Sequence, residues 1–166
     1  MPDALTVITR AISEHRSIME HVKLTGDTVN DIEALFTLYG AQSAWSQTSV
    51  TAVIEKQEKL VQAISFLEQG LKNHFGFEEE ALPPLFGELL MKAILREHSA
   101  ILGQINHAKT TLSNSKVEGL EQEELLSKKS QIQEAINHLR QAVEEHAYHE
   151  EIVLNMMKKA LEESKT

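Results

Sequence analysis

His74-Phe-Gly-Phe-Glu78 and His146-Ala-Tyr-His-Glu150 repeat one pattern, a histidine followed by a glutamate one helical turn later. In an α-helix, positions i and i+4 share a face, so each pair can offer an imidazole nitrogen and a carboxylate to one point in space. Those are ligands for iron, manganese or zinc rather than for a soft metal. Two more histidines lie at the centre of apolar stripes. Around His15 the stripe is Ile8, Ala11, Ile12, Ile18, Met19 and Val22; around His98 it is Ile94, Ile101, Leu102 and Ile105. His74 and Glu78 lie among Leu67, Leu71, Phe77, Ala81 and Leu82, and His146 and Glu150 among Leu139, Ala142, Val143, Val153 and Leu154.

A single inward histidine is more often a core residue bonded to a backbone or hydroxyl group. Inward glutamates are harder to accommodate. An unpaired buried carboxylate is costly, so Glu78 and Glu150 call for a cation, a hydrogen-bond network or a raised pKa. Taken together, His15, His74, Glu78, His98, His146 and Glu150 are the expected metal ligands. Glu79, Glu80, Glu145 and Glu151 read as a solvated face, and Arg96 and Glu97 as lying on other faces of their helix. His21, His107 and His138 read as surface or boundary residues. His149 matches Phe77 in the repeat and reads as a pocket-lining or supporting residue.

Positioning these side chains requires helices. Apolar residues recur at helical period almost throughout, which predicts an all-α protein. The breakers divide it. A first helix runs from Asp3 as N-cap to about Leu24, where Thr25-Gly26-Asp27 ends it. Residues 28–47, with Phe36, Tyr39, Gly40 and Trp45, read as a short extra helix and loop covering one end. A second helix spans about Ser49 to Leu82 and is stopped by Pro83-Pro84. A third spans about Glu88 to Thr111, Asn114 to Gly119 form a polar turn, and a long fourth helix runs from about Glu121 to Glu162. The expected architecture is an up-down-up-down four-helix bundle. In it the first helix starts, the second ends, the third starts and the fourth ends at one end, which lets the four histidines reach one layer.

Composition sets the outer bounds. The chain has 166 residues, enough for one domain over 1–166 with a continuous core. With no cysteine, disulfides, thiol catalysis and thiolate-held clusters are excluded, and any metal must be held by nitrogen and oxygen. The net charge of −9, with scattered lysines and arginines, disfavours nucleic acid as a partner. No stretch approaches the roughly 20 apolar residues of a membrane span, and the first residues lack a signal-peptide pattern. The expectation is a soluble, cytoplasmic protein.

The chain reads as two copies of one half: Glu14-His15-Arg-Ser-Ile18 leading to His74-Phe-Gly-Phe-Glu78, then Glu97-His98-Ser-Ala-Ile101 leading to His146-Ala-Tyr-His-Glu150. This resembles the hemerythrin-like, or HHE cation-binding, family over the whole bundle apart from residues 28–47. The resemblance implies a four-helix bundle with a non-haem di-iron centre, two iron ions with an oxo bridge among the options for the open positions. Carried over, His15, His74, His98 and His146 would be terminal ligands, and Glu78 and Glu150 the bridges. Manganese or zinc would also suit the donors. Two departures stand out. Oxygen-carrying members have a further histidine where this chain has Leu102, and they close with histidine and aspartate five apart, where this chain has Glu150 at i+4 and Glu151 at i+5. The resulting set resembles the symmetrical centres of bacterial iron-repair and sensor members and weighs against reversible oxygen storage.

The function so implied is a metal-binding protein that binds or senses a diatomic ligand, O₂ or NO, or buffers iron. An iron-centre repair or NO- or peroxide-reducing enzyme, with His149 or Tyr148 as proton donors, is the second reading. A metal-free helical interaction module is the third. A redox partner or a homo-oligomer is compatible with each. The order of the proposed ligands, histidine before glutamate, is the reverse of the Glu-x-x-His motifs of ferritin-like enzymes and argues against a ferroxidase.

Overall fold

Asp3 opens the first helix by accepting the backbone N–H of Thr6 on Oδ1 at 2.9 Å, as an N-cap should. The computed structural model describes residues 3–40, 47–114 and 122–164. Among these residues it contains α1 (Ala4–Gly40), α2 (Gln47–Ala81), α3 (Pro83–Ser113) and α4 (Gln122–Glu163), and no strand. The protein is an all-α four-helix bundle.

Ion pairs and hydrogen bonds between helices fix their directions. Asp31 and Glu14 of α1 meet Lys56 and His74 of α2, respectively, so numbers fall on α2 as they rise on α1. The same inverse order holds for α2 against α3, where Glu68 and Glu79 meet Lys109 and His98. It holds again for α3 against α4, where Glu97 and Asn114 meet His146 and Lys128. Finally α4 closes on α1, with Lys129 and Glu151 against Glu33 and His15. Sequential neighbours are therefore antiparallel, and the ring is complete.

The expected end of the first helix at Thr25-Gly26-Asp27 is wrong: α1 continues through it to Gly40. A helical glycine costs only about 1 kcal/mol, and packing outweighs it. Val22, Val29 and Ile32 carry the apolar stripe across the break into the core, and Thr25 and Thr28 are buried as well. Each threonine satisfies its hydroxyl by donating to a carbonyl one turn back, that of His21 at 2.9 Å and of Leu24 at 2.8 Å. Residues 28–40 are thus not a short capping helix but the second half of α1. The connection over 41–46, including Trp45, lies outside the described residues, as does most of the predicted polar turn, over 115–119.

Pro83 and Pro84 end α2 and begin α3 almost at once, with proline at the first helical positions where its missing N–H costs nothing. Gly87 then breaks α3 near its start, at φ 77° and ψ 172°, so the long straight run begins near Glu88 as the sequence predicts.

Two apolar clusters fill the interior. The larger includes Val22, Ile32, Leu60, Ile64, Leu71, Ile101, Ile105, Ile136 and Val143. The smaller, at the end where α2 turns into α3, is built of Val7, Ile8, Ala11, Leu82, Met91, Ile94 and Leu154. His15, His98 and His146 fall between these two sets along their helices, and on α2 His74 and Glu78 flank Phe75 where the larger set gives way to the smaller. A polar layer is therefore sealed between two greasy ones. No helix among the described residues is long and apolar enough to cross a membrane.

Candidate metal centre

The residues singled out by spacing converge. His15, His74, Glu78, His98, His146 and Glu150 are all buried, with relative exposures of 0–3%. Each helix supplies one histidine, and α2 and α4 add the glutamates one turn later. His15, Glu78, His146 and Glu150 present ligand atoms that all lie within 4.8 Å of one another, a grouping that could hold a metal ion. His74 and His98 join it through Glu78, with Nε2 at 2.6 Å from Oε1 and 3.1 Å from Oε2, respectively.

The two carboxylates divide their oxygens between two sides. Glu78 Oε1 lies against Nε2 of His15 and His74, at 3.4 and 2.6 Å, while Oε2 lies against His98. Glu150 Oε1 lies 3.1 Å from His15 Nε2, and Oε2 lies 3.2 Å from His146 Nε2. One side therefore holds His15 and His74, whose rings are 4.7 Å apart, and the other His98 and His146, 4.9 Å apart. These sides coincide with the two halves of the sequence repeat. Phe75, itself buried, stacks on the His98 ring at 3.8 Å and fixes its plane.

Proximity here is not mutual satisfaction. Nε2 of His15, His74 and His146, Oε1 of Glu78 and both oxygens of Glu150 are buried with only one another for company and make no well-formed hydrogen bond. An unsatisfied buried polar atom costs about 1–3 kcal/mol, and charged groups more. Lone pairs of nitrogen and oxygen aimed at common points fit a cation, and the donor set fits the metals named above.

The charges are strained accordingly. Burial opposes a charge on His15, but the Glu150 and Glu78 carboxylates outweigh it and raise the imidazole to about 10. Burial would likewise raise Glu78, yet His15, His74 and His98 hold it well below the usual carboxylate range. Glu150 is pushed up to about 8 by burial and by the neighbouring Glu78, against the pull of His15. Burial lowers His146, with Glu97 opposing.

Four outer carboxylates, missed by the sequence reading, face the far side of the histidine rings. Nδ1 of His15 meets Glu151 at 3.3 Å, His74 meets Glu14 at 3.5 Å, His98 meets Glu79 at 2.9 Å and His146 meets Glu97 at 2.6 Å. Glu79 and Glu151 thus do more than solvate a face, and Glu97, although off the buried stripe of α3, points at α4. The available signal was adjacency: each of these glutamates is next in sequence to a buried histidine or glutamate. Glu97 also holds the exposed His149, Nδ1 to Oε1, at 2.9 Å, which places His149 behind the centre rather than in it. Burial would raise Glu97, but these two imidazoles lower it.

The remaining histidines stand apart. His107 and His138 line a groove of about 520 Å³ between α3 and α4, toward the end remote from the histidine layer. His21 borders a cleft of about 90 Å³ that reaches the outer edge of His74 past Glu14 and Gly70. Comparison with protein-family models, with curated proteins and with solved structures returned no significant match.

Proposed function

We propose that this chain is a hemerythrin-like di-iron protein that binds or senses a diatomic ligand, O₂ or NO. The observation that carries the reading is the partition of the buried layer. Each half of the repeat contributes two imidazole Nε2 atoms, and Glu78 and Glu150 each give one oxygen to either half. That is what two metal ions bridged by carboxylates require. When bound, the iron would supply the open coordination positions and redox chemistry that a diatomic molecule needs.

The chain's own part is to bind, orient and exclude. Four imidazoles present Nε2 inward, with Nδ1 turned toward the outer carboxylates. Glu78 and Glu150 supply two negative charges inside an apolar interior, which offset part of the cation charge. The smaller cluster of Ile8, Ala11, Leu82, Ile94 and Leu154 keeps bulk water from one end of the layer, and the larger one from the other. Binding of a small neutral gas suits such a seal; a large substrate does not fit between the clusters.

A turnover role is favoured by no specific feature of the site, since the exposed His149 reaches the layer only through Glu97. The metal-free module is disfavoured by the orphaned atoms, which a purely structural polar layer would be expected to pair. The reading is tested by adding NO or azide to protein loaded with iron(II) or iron(III). A saturable change in visible absorption, abolished in His74→Ala, supports it. An iron-loaded protein whose spectrum ignores O₂, NO and azide alike would count against ligand binding and leave iron buffering.

A further inference from the structure

Glu14, Glu79, Glu97 and Glu151 share a relation that no isolated surface pair has. Glu14 on α1 holds His74 on α2, Glu79 on α2 holds His98 on α3, Glu97 on α3 holds His146 on α4, and Glu151 on α4 holds His15 on α1. Every link crosses a helix boundary, all run in one direction around the bundle, and the circuit closes. Other pairs that cross between helices, such as Lys56 with Asp31 or Lys109 with Glu68, join two surface side chains and hold no buried histidine.

We propose that these four glutamates are positioning residues for the metal centre, each fixing the ring orientation and tautomer of the next helix's histidine. The physical reason is simple. An ionised carboxylate has no proton to give, so the facing Nδ1 must carry one and donate it. Nε2 then keeps its lone pair and aims it inward, at the side where Glu78 and Glu150 sit. The carboxylates are only partly buried, with side-chain exposures of 28–44%, and keep one edge in water, while the imidazoles they hold are 2–3% exposed. Closure matters too: the helix that gives a glutamate to its neighbour receives one from the other side, so correct packing of all four helices sets all four rings.

The links are unequal, and this orders their effects. Glu97 makes the shortest contact, at 2.6 Å to His146, and is itself held by His149. Glu14 makes the longest, at 3.5 Å to His74. Loss of Glu97 should therefore weaken metal retention most, and loss of Glu14 least.

The inference rests on the metal-centre reading, and the test separates the two. Wild-type protein and the variants Glu14→Ala, Glu79→Ala, Glu97→Ala and Glu151→Ala are titrated with cobalt(II) alone, in competition with a chelator. Proton spectra of the loaded proteins in water are then searched for exchangeable, paramagnetically shifted imidazole N–H signals. Affinity should fall about 10–100-fold per variant, most for Glu97→Ala, and each variant should broaden or lose the N–H signal of one histidine. Glu97→Gln should recover part of the affinity, and Glu80→Gln, in the adjacent exposed position, should change neither readout. Helix content and melting of the chelated variants show whether the fold is kept; where an alanine variant does not fold, the glutamine variant takes its place. Wild-type affinity and unshifted N–H signals in all four variants would overturn the inference while leaving the centre standing. A wild-type protein that takes up no metal would overturn both.

Discussion

Glu78 and Glu150 occupy equivalent places in the two halves of the repeat, yet they carry charge differently in chelated protein. Glu78 is held low by three imidazoles, and Glu150 is raised to about 8 by burial and by Glu78. Glu150→Gln resembles the protonated form that burial favours but removes a partner of His15, so it should lower the melting temperature of chelated protein less than Glu78→Gln does. Glu78→Gln removes the one carboxylate that His15, His74 and His98 together hold ionised and should cost about 3–5 kcal/mol. Both should abolish loading with iron. Thermal unfolding with and without chelator checks the pair, and equal destabilisation by the two substitutions would contradict the assignment.

The same shifts give a pH profile. For Glu150, the folded value near 8 lies above the ordinary 4.5, so its contribution is full below 4.5 and is lost as pH rises through about 8. His15, raised from 6.5 to about 10, likewise stabilises fully below 6.5 and loses that contribution as pH rises through about 10. Glu78 acts oppositely, contributing above 4.5 and losing its contribution as pH falls below it. Chelated protein should thus be most stable at mildly acidic pH and weaken toward alkaline pH. Metal must displace the His15 and Glu150 protons, so loading should release about two protons per centre at neutral pH, and affinity should rise with pH. Calorimetric titration in buffers of different ionisation enthalpy measures the release.

Which residues enter the layer was legible because i, i+4 spacing within an apolar stripe is a property of one helix at a time. The outer glutamates were not, because each acts on the neighbouring helix, and interhelical register is absent from any single helix's periodicity.

At the scale of the elements, two glycines should respond in opposite directions. Gly87 adopts φ 77° at the break in α3, a conformation that side chains avoid. Gly87→Ala should destabilise by about 1–3 kcal/mol and disturb the turn that carries Leu85, Phe86 and Leu90 onto the smaller cluster. Gly76 lies exposed inside α2, and a Cβ there would meet nothing within 4 Å. Gly76→Ala should stabilise by roughly 0.5–1 kcal/mol. Chemical denaturation of both variants checks the signs. The helix ends were legible wherever proline or an N-cap set them, at Asp3 and Pro83. The false stop at Thr25-Gly26-Asp27 was a local signal overridden by burial of Thr25, Thr28, Val29 and Ile32 against the other helices, something local chemistry does not reveal.

Across the whole molecule, the bundle holds six polar side chains between two apolar clusters, and the histidine layer depends on both. Leu154 is fully buried in the smaller cluster, one turn beyond Glu150. Leu154→Ala should cost about 2–5 kcal/mol and, by admitting water at that end, speed metal release to a chelator. An unchanged release rate in a folded variant would separate the seal from retention. The most direct measurement of the central claim is metal content per chain, by elemental analysis of protein expressed with added iron, paired with its absorption spectrum in air. The account predicts about two iron ions per chain, with near-ultraviolet charge-transfer bands that disappear in His74→Ala and His146→Ala. Folded wild-type protein that refuses iron, manganese and zinc would contradict it and make the inward histidines structural.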